Sequence, residues 1–376
     1  MTEPFKNFIN PELVRSAAAQ LVRVAPSFDS ARFVSLATHQ LHTLELKARA
    51  MRVADALEAT LPVEFDAAAT LLEAALAPPG DESQPTAGSV ADSGLAGWIL
   101  WPVGEFVARR GIGTPERGLQ ALHAITQRFS AEFAIRPYIV AHPTLVFRTL
   151  AQWVHDPSAH VRRLVSEGSR PRLPWGLQLR QLVADPTPTL PLLAALQDDT
   201  SEYVRRSVAN HLNDIAKDHP QRVAEWLETY LPQASAERRA LLRHASRTLI
   251  KRGDKRVLVA WGIGAAFAGT TSLAVTPTRV AIGERLTLSI ALRSTARNAQ
   301  SLAIDYVVHH RKADGSTSPK VFKGWVIELA AGESRQLTKR HSMKRITTRR
   351  YYAGAHVIDV QINGVAVASA PFTLTA

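Results

Sequence analysis

The sequence predicts a helical region followed by an all-β region, and three observations carry that expectation. Up to about Trp261, apolar residues recur at spacings of three and four in stretches rich in Ala and Leu. Inside this block one stretch of sequence returns after about 40 residues. After Gly262 the pattern turns to short, alternating, β-branched runs separated by turn signals.

In chain order, "PELVRSAAAQLVRV", "LELKARAMRVADALEATL" and "DAAATLLEAALA" are predicted helices. They end at "PPGDESQPTAGSVADSG" (Pro78–Gly94), whose Pro, Gly, Ser and Asp content predicts a long loop. Thr114-Pro115 supplies a cap and first turn for a helix through "GLQALHAITQRF", and helices continue to about Trp261.

Within the second helical block, "DPSAHVRRLVSEG" (Asp156–Gly168) superposes on "DTSEYVRRSVANH" (Asp199–His211) after a shift of 43 residues, and "LLRHASR" (Leu241–Arg247) is a weaker third copy. Such a period, with two helices per unit, belongs to HEAT-like solenoids. Val161/Val204, Leu164/Ser207 and Val165/Val208 are expected to face partner helices, while Arg163, Arg206 and Arg243 fall on another face. A stack of these helices would line a concave surface with Arg. One solvated helix face would explain a single copy; repetition at solenoid spacing favours the groove.

The last block contains "RLTLSIALR", "SLAIDYVVHH", "VFKGWVIEL", "RQLTKRH" and "AHVIDVQINGVAVASAPFTLTA", with turn signals at Ala313-Asp314-Gly315 and Asn363-Gly364. Roughly seven short strands in about 105 residues predict an immunoglobulin-like sandwich without the Cys pair of antibody domains. The expected domains are therefore residues 1–265 and 270–376, with a flexible loop near 78–94. "KRHSMKRITTRR" (Lys339–Arg350) is expected on an exposed loop or edge. Charge protects many strand edges, but four Arg and two Lys in this stretch exceed that need.

With 46% apolar and 21% charged residues, the composition is that of a globular protein with a buried core. No Cys is present, which removes disulfides, thiolate nucleophiles and Cys-based zinc sites and suits a reducing cytoplasm. The polar start "MTEPFKNFIN" has no apolar signal region, and no stretch reaches the roughly 20 apolar residues of a membrane helix. The expectation is a soluble cytoplasmic protein.

The formal charge of +12 is unevenly placed. Residues 1–110 hold 9 Lys and Arg against 13 Asp and Glu, residues 111–269 hold 21 against 14, and residues 270–376 hold 15 against 6. A field of that sign favours a polyanion, either nucleic acid or an acidic membrane surface. There is no P-loop, G-x-G-x-x-G, H-E-x-x-H or G-x-S-x-G motif, and the 13 His are scattered.

What remains is a set of acids in a basic setting: Glu132 in "RFSAEFAIRPY", Glu167 in "VRRLVSEGSRPRLPWG" and Asp214 in "YVRRSVANHLNDIAKDHP". Glu167 stands in the last turn of a helix, before what reads as a Gly168 stop, where an exposed acid costs a few tenths to about 1 kcal/mol. On the second-copy helix, Arg206, Asn210, Asp214 and Lys217 form a polar stripe opposite Val204, Val208, Leu212 and Ile215. Arg163 and Glu167 are four apart, so a surface ion pair of about 0.3–0.5 kcal/mol is the plain alternative. Lys217 offers Asp214 a similar partner, although Asp218 would repel it. Carboxylates in a DNA-binding groove repel phosphates, and their use requires something cationic within the DNA.

"VRRLVSEGSRPRLPW", "YVRRSVANHLNDIAKDHP" and "TQRFSAEFAIRP" resemble the AlkC branch of the HEAT-like-repeat DNA alkylation-repair glycosylases, relatives of the AlkD type. The resemblance covers about residues 1–265, and some members of this branch also carry a C-terminal immunoglobulin-like domain. It implies cleavage of the N-glycosidic bond of 3-methyladenine and 3-methylcytosine in double-stranded DNA, leaving an abasic site. It also implies no metal or cofactor, and action on a lesion left near the base stack. The family's groove carboxylates fall on Glu132, Glu167 and Asp214, and its groove Trp on Trp175.

These residue types suit the chemistry. Alkylation at a ring nitrogen makes the base a cationic leaving group, and its departure leaves an oxocarbenium-like sugar that nearby carboxylates stabilise. Glu167 or Asp214 is expected to activate water, with Glu132 as electrostatic support. Trp175 would pack on the sugar or lesion by cation–π attraction. Candidate phosphate contacts are Arg162, Arg163, Arg170, Arg172, Arg205, Arg206, Lys217, Arg243 and Arg247, joined by Lys344, Arg345, Arg349 and Arg350 of the β region. A monomer would suffice. Two other classes stay open: a non-catalytic scaffold that binds protein, and a sequence-independent DNA-binding protein. Glu167 is expected to await a cation present only in damaged DNA.

Overall fold

The computed structural model describes residues 4–79, 93–263, 265–346 and 349–376. They form two compact units, Met1–Asp218 and His219–Ala376. Most of the predicted Pro78–Gly94 loop lies outside the described residues.

The first unit contains α1 (Pro11–Val24), α2 (Ser30–Thr38), α3 (Leu46–Thr60), α4 (Phe65–Ala75), α5 (Leu100–Arg110) and α6 (Pro115–Thr126). It continues with α7 (Ile135–Ala141), α8 (Pro143–Trp153), α9 (Ala159–Gly168), α10 (Arg180–Ala184), α11 (Leu190–Leu196) and α12 (Glu202–Asp218). Helix α1 spans the predicted stretch because its ends are chemically marked: Asn10 Oδ1 accepts from the Leu13 amide at 2.8 Å, and Pro11 stands in the first turn. Helix α2 carried too weak a periodicity to be read from sequence, yet Asp29 caps it through the Arg32 amide at 3.0 Å.

The repeated motif is a repeated hydrogen-bonding pattern. In the first copy Asp156 Oδ1 accepts from the Ser158 amide (2.8 Å), and Arg162 Nη1 donates to the Asp156 and Pro157 carbonyls (2.9 and 3.0 Å). In the second, Asp199 Oδ1 accepts from the Ser201 amide (2.9 Å), and Arg205 Nη1 donates to the Asp199 and Thr200 carbonyls (2.6 and 2.9 Å). The copies are also tied together, since Arg162 Nε and Nη2 grip the Asp199 carboxylate at 2.6 and 2.9 Å. Val161, Val165, Val204 and Val208 are fully buried where α9 packs on α12, as their spacing predicts.

Of two expected phosphate contacts, Arg162 is committed to a helix entrance and to Asp199, while Arg205 uses Nη1 on the second entrance. Gly168 also differs from its reading as a stop signal. It is the last residue of α9 with an ordinary φ, and an added Cβ would meet Ile135 Cγ2 at 2.5 Å, so close helix approach requires the glycine.

The second unit begins with α13 (Pro220–Tyr230), α14 (Ala236–Ala245), α15 (Arg247–Arg252) and α16 (Lys255–Ala260). Its strands are β1 (Gly269–Thr276), β2 (Arg279–Ala281), β3 (Arg285–Ser294), β4 (Gln300–Arg311), β5 (Thr317–Leu329), β6 (Ser334–Ser342), β7 (Gly354–Ile362) and β8 (Val365–Thr375). They make a three-stranded sheet, β1-β3-β6, and a five-stranded sheet, β2-β8-β7-β4-β5, antiparallel except for the short β2–β8 pair. Leu286, Leu288, Tyr306, Val308, Ile358 and Phe372 form one core shared by the two sheets, which is the immunoglobulin-like sandwich. The predicted hairpin at Asn363-Gly364 has both residues at positive φ (50° and 79°), the geometry a tight two-residue turn requires.

Thermal unfolding should be acid-sensitive. His310 is 4% exposed, and neither ring nitrogen has a hydrogen-bond partner among the described residues. Burial, with help from Arg349, His356, His341 and His309, holds it down to about 3. Burial and then Arg349 hold His341 down to about 4. Both must stay neutral in the fold, so stability is full above their unfolded value near 6.5 and falls as pH drops below it, by up to about 1.4 kcal/mol per pH unit each. Melting followed by circular dichroism from pH 7 to 5 should show this decline, and His310→Phe should flatten it; an unchanged slope would count against the assignment.

Arg162→Ala should lower the melting temperature by breaking a mostly buried ion pair, at a cost of about 3 kcal/mol. Its affinity for undamaged duplex DNA, read by titration at fixed salt, should match that of the unaltered protein.

Candidate active site

The end of α9, the turn before α7, the start of the Ser169–Leu179 loop and the inner face of α12 meet in one charged cluster. Arg170 stands at its centre. Its Nη1 lies 2.6 Å from Glu167 Oε1 and its Nε 2.8 Å from Asp214 Oδ2. The Ser207 hydroxyl donates to Glu167 Oε2 at 2.6 Å, and Lys217 Nζ reaches Asp214 Oδ1 at 2.7 Å. On the other side, Arg163 approaches Glu167 at 3.7 Å and Glu132 Oε2 at 2.8 Å, while Ser130 Oγ donates to the same Glu132 oxygen at 2.8 Å. The groups run in the order Glu132, Arg163, Glu167, Arg170, Asp214, Lys217, with signs alternating throughout. The Arg163 guanidinium also lies over the Tyr203 ring, 4.8 Å from its centroid.

The three predicted carboxylates are thus brought together, at different depths: the side chain of Glu132 is 16% exposed, that of Glu167 7% and that of Asp214 2%. Burial pushes the Glu167 carboxyl up, but Arg163, Arg170 and the Ser207 hydroxyl outweigh it and hold Glu167 below its ordinary value. Burial pulls the Arg170 guanidinium down, and Glu167 and Asp214 more than restore it. Glu167 and Arg170 are thereby held in their charged forms.

Several expectations change. The sequence spacing favoured Arg163 as the partner of Glu167 on a surface, whereas the pair is buried and Arg170, three residues on, is closer. Arg163 and Arg170 were expected on phosphates but face carboxylates instead. Two cations, Arg163 and Arg170, already stand beside Glu167. Asp218 does not repel Asp214 from an empty surface, since Arg172 grips its carboxylate at 2.7 and 2.8 Å.

Arg206 is largely exposed and pairs at 2.6 Å with exposed Glu202, a contact worth little in water, and Lys217 is half exposed. These two fit the expected outward role. In the second unit, Arg243 lies half-buried over the Trp261 ring, and Arg247 donates to the His244 carbonyl at 2.6 Å. Lys344, Arg345 and Arg350 are exposed and Arg349 is half-buried, as expected of a loop beyond β6; part of that stretch lies outside the described residues.

Trp175 is 67% exposed and has φ +65°, a left-handed backbone that a bulky residue rarely adopts. The structure thus holds a large apolar ring outward on strained backbone.

Sequence reasoning missed Ser130, Tyr203, Ser207 and Arg136. Ser207 left a trace: it occupies the repeat position where the first copy has Leu164, and it is a buried polar residue in an apolar slot. Arg136 left none, since a wholly buried Arg inside "AIRP" looks like any helical cation. Among the described residues, no group of three His, Cys, Asp or Glu is arranged to hold a metal ion, and no helix is long and apolar enough to cross a membrane.

Comparison with known proteins converges on one family. Residues 129–249 match the DNA alkylation repair enzyme family, and residues 269–376 match the C-terminal Ig-like domain of YhaZ proteins. The chain is 36% identical over 365 residues to the uncharacterized protein YhaZ of Bacillus subtilis (strain 168), covering 96% of each. It is also 36% identical to the Pseudomonas fluorescens alkylpurine DNA glycosylase AlkC, solved bound to DNA containing an abasic site analog, with a TM-score of 0.90 and complete coverage of both chains. With the alternating charge cluster lying inside the matched segment and the β-sandwich following it, the chain belongs to the AlkC branch of the DNA alkylation repair enzyme family.

Proposed function

We propose that this protein is a DNA glycosylase of base excision repair that removes cationic N-alkylated bases, 3-methyladenine and 3-methylcytosine foremost, from double-stranded DNA. The observation that carries the reading is the run of three carboxylates, Glu167 and Asp214 buried and Glu132 half-buried, bridged by Arg163 and Arg170 beside an outward Trp175, in a chain so similar to AlkC. An abasic site, the feature of the DNA bound by that relative, is what base removal leaves behind.

In the proposed step the C1′–N bond breaks and its electron pair returns to the ring nitrogen, which cancels the positive charge of the base. The positive charge passes to the sugar as an oxocarbenium ion. Glu132, Glu167 and Asp214 are preorganised against that charge, and preorganised groups stabilise the transition state without reorganising as it forms. Water then attacks C1′ and loses a proton to a carboxylate, either Glu167 or Asp214, giving the abasic sugar. No metal or organic cofactor enters this sequence, and HEAT-like repeats would present the groups to a lesion left near the stack.

The balanced charges of the free protein set a condition on this mechanism. Asp214 is covered by Lys217, whose half-exposed ion pair is worth little in water. A DNA phosphate competes for that ammonium, so backbone binding would uncover the carboxylate. Trp175 would then lie against the sugar or the cationic base, worth about 0.5–2 kcal/mol. Arg206, with Lys344, Arg345, Arg349 and Arg350 of the sandwich, would hold phosphates, and the active species would be a monomer.

Incubation with dimethyl-sulfate-treated duplex DNA, followed by chromatography of the released bases, should yield 3-methyladenine; no release would refute the glycosylase and favour a scaffold or a plain DNA-binding protein. Glu132→Gln should fold, bind alkylated DNA at least as tightly and lose about 10²- to 10³-fold in rate. Glu167→Gln and Asp214→Asn should lose rate and also melt earlier, because each leaves a buried guanidinium underpaired. Arg206→Ala should weaken binding to any duplex and reduce the slope of log affinity against log salt by about 1.

A further inference from the structure

One buried cation joins the helix end that carries Glu167 to the loop that carries Trp175. Arg136, on α7, has no solvent exposure. Its Nη1 donates to the Gly168 carbonyl at 2.8 Å, and its Nε donates to the Leu177 carbonyl at 2.5 Å. Gly168 follows Glu167 directly, and Leu177 lies two residues after Trp175. Between them, an added Cβ at Gly176 would stand 3.3 Å from Arg136 Nε and 3.3 Å from Phe133 Cδ1, so the loop is closed down on the guanidinium.

Helix capping accounts for only half of this arrangement. A cation near the last carbonyls of α9 is favourable for any helix. The second bond, to Leu177, serves the loop. Arg136 is otherwise a poor choice for stability, because Nη2 has no acceptor among the described residues and burying an incompletely bonded cation is costly. Burial, then Arg170, holds the guanidinium down to about 10, with Glu132, Asp214 and Glu167 acting in the opposite direction, so it stays charged near neutrality.

We propose that Arg136 is a positioning residue: it holds the α9 end that carries Glu167 and the loop that carries Trp175 at one separation, so that carboxylate and indole address the same alkylated nucleotide. The inference rests on the glycosylase reading above. Arg136 itself touches no DNA. Its effect therefore falls on the rate of the bound complex and passes through Trp175.

The test compares full-length wild type, Arg136→Lys, Trp175→Ala and the double variant in single-turnover base release from methylated duplex DNA, with affinity measured separately. Arg136→Lys keeps the charge but reaches one carbonyl at a time. It should lower the rate about 10- to 100-fold, as small misplacements do, while affinity changes less than about 3-fold. In the Trp175→Ala background the same change should have little further effect. A folded Arg136→Lys protein with wild-type rate, or rate losses that simply multiply, overturns the positioning role while leaving the glycosylase reading intact. If Arg136→Lys fails to fold, Gly176→Ala decides: it retains Arg136 but crowds the loop off it, and an unchanged rate there overturns the proposal. A wild-type protein that releases no base removes both readings together.

Discussion

The contact of Arg170 with both Glu167 and Asp214 is the constraint on which the rest of the first unit depends. Two carboxylates held side by side out of water repel each other and lose hydration, and only a cation between them makes the arrangement tenable. Arg170 meets that need from a short turn after α9, and its bonds at 2.6 and 2.8 Å draw the end of one helix onto the face of another. The packing of Val161 and Val165 against α12 sets how closely the two can approach. Apolar packing places the helices, and the ion pairs then specify their register.

A network of this kind changes what net charge means for the molecule. The count of +12 suggests a surface crowded with free cations, yet many Arg of the helical unit are internal fixtures. Arg162 and Arg205 close the repeat entrances, Arg163 and Arg170 neutralise carboxylates, and Arg136 ties backbone. The groups left for a polyanion are fewer and more outward, such as Arg206 and Lys217. This division matters for a carboxylate site that works on DNA. Acids already balanced inside the protein repel phosphates less than bare ones, and in the proposed mechanism Lys217 leaves Asp214 for a phosphate.

Much of the fold was legible because local signals agreed with tertiary packing. The Asn10-Pro11 start of α1, the Asn363-Gly364 hairpin and the Asp-x-Ser-x-x-Val-Arg-Arg repeat all encode their geometry within a few residues. Strand β1 and the three-residue β2 were missed, since Thr- and Ala-containing runs with one half-exposed face carry little hydrophobic contrast. Gly168 was misread for a similar reason: a helix-stop glycine and a close-approach glycine look identical until the neighbouring Ile135 is in view.

Resemblance to the AlkC branch pointed to Trp175, while the residues by themselves determined the two kinds of architecture, the repeat, and Glu132, Glu167 and Asp214 as acids in a basic setting. Those follow from periodicity and from local electrostatics, which need only neighbours along the chain. Tertiary structure alone decided which cation meets which carboxylate, that Ser207 completes Glu167, and that Arg136 joins Gly168 to Leu177. The reason is physical: apart from Arg170 and Glu167, which are three residues apart, these partners lie 32 to 44 residues apart, and the strength of a charge pair depends on distance and burial, neither of which exists until the helices have packed.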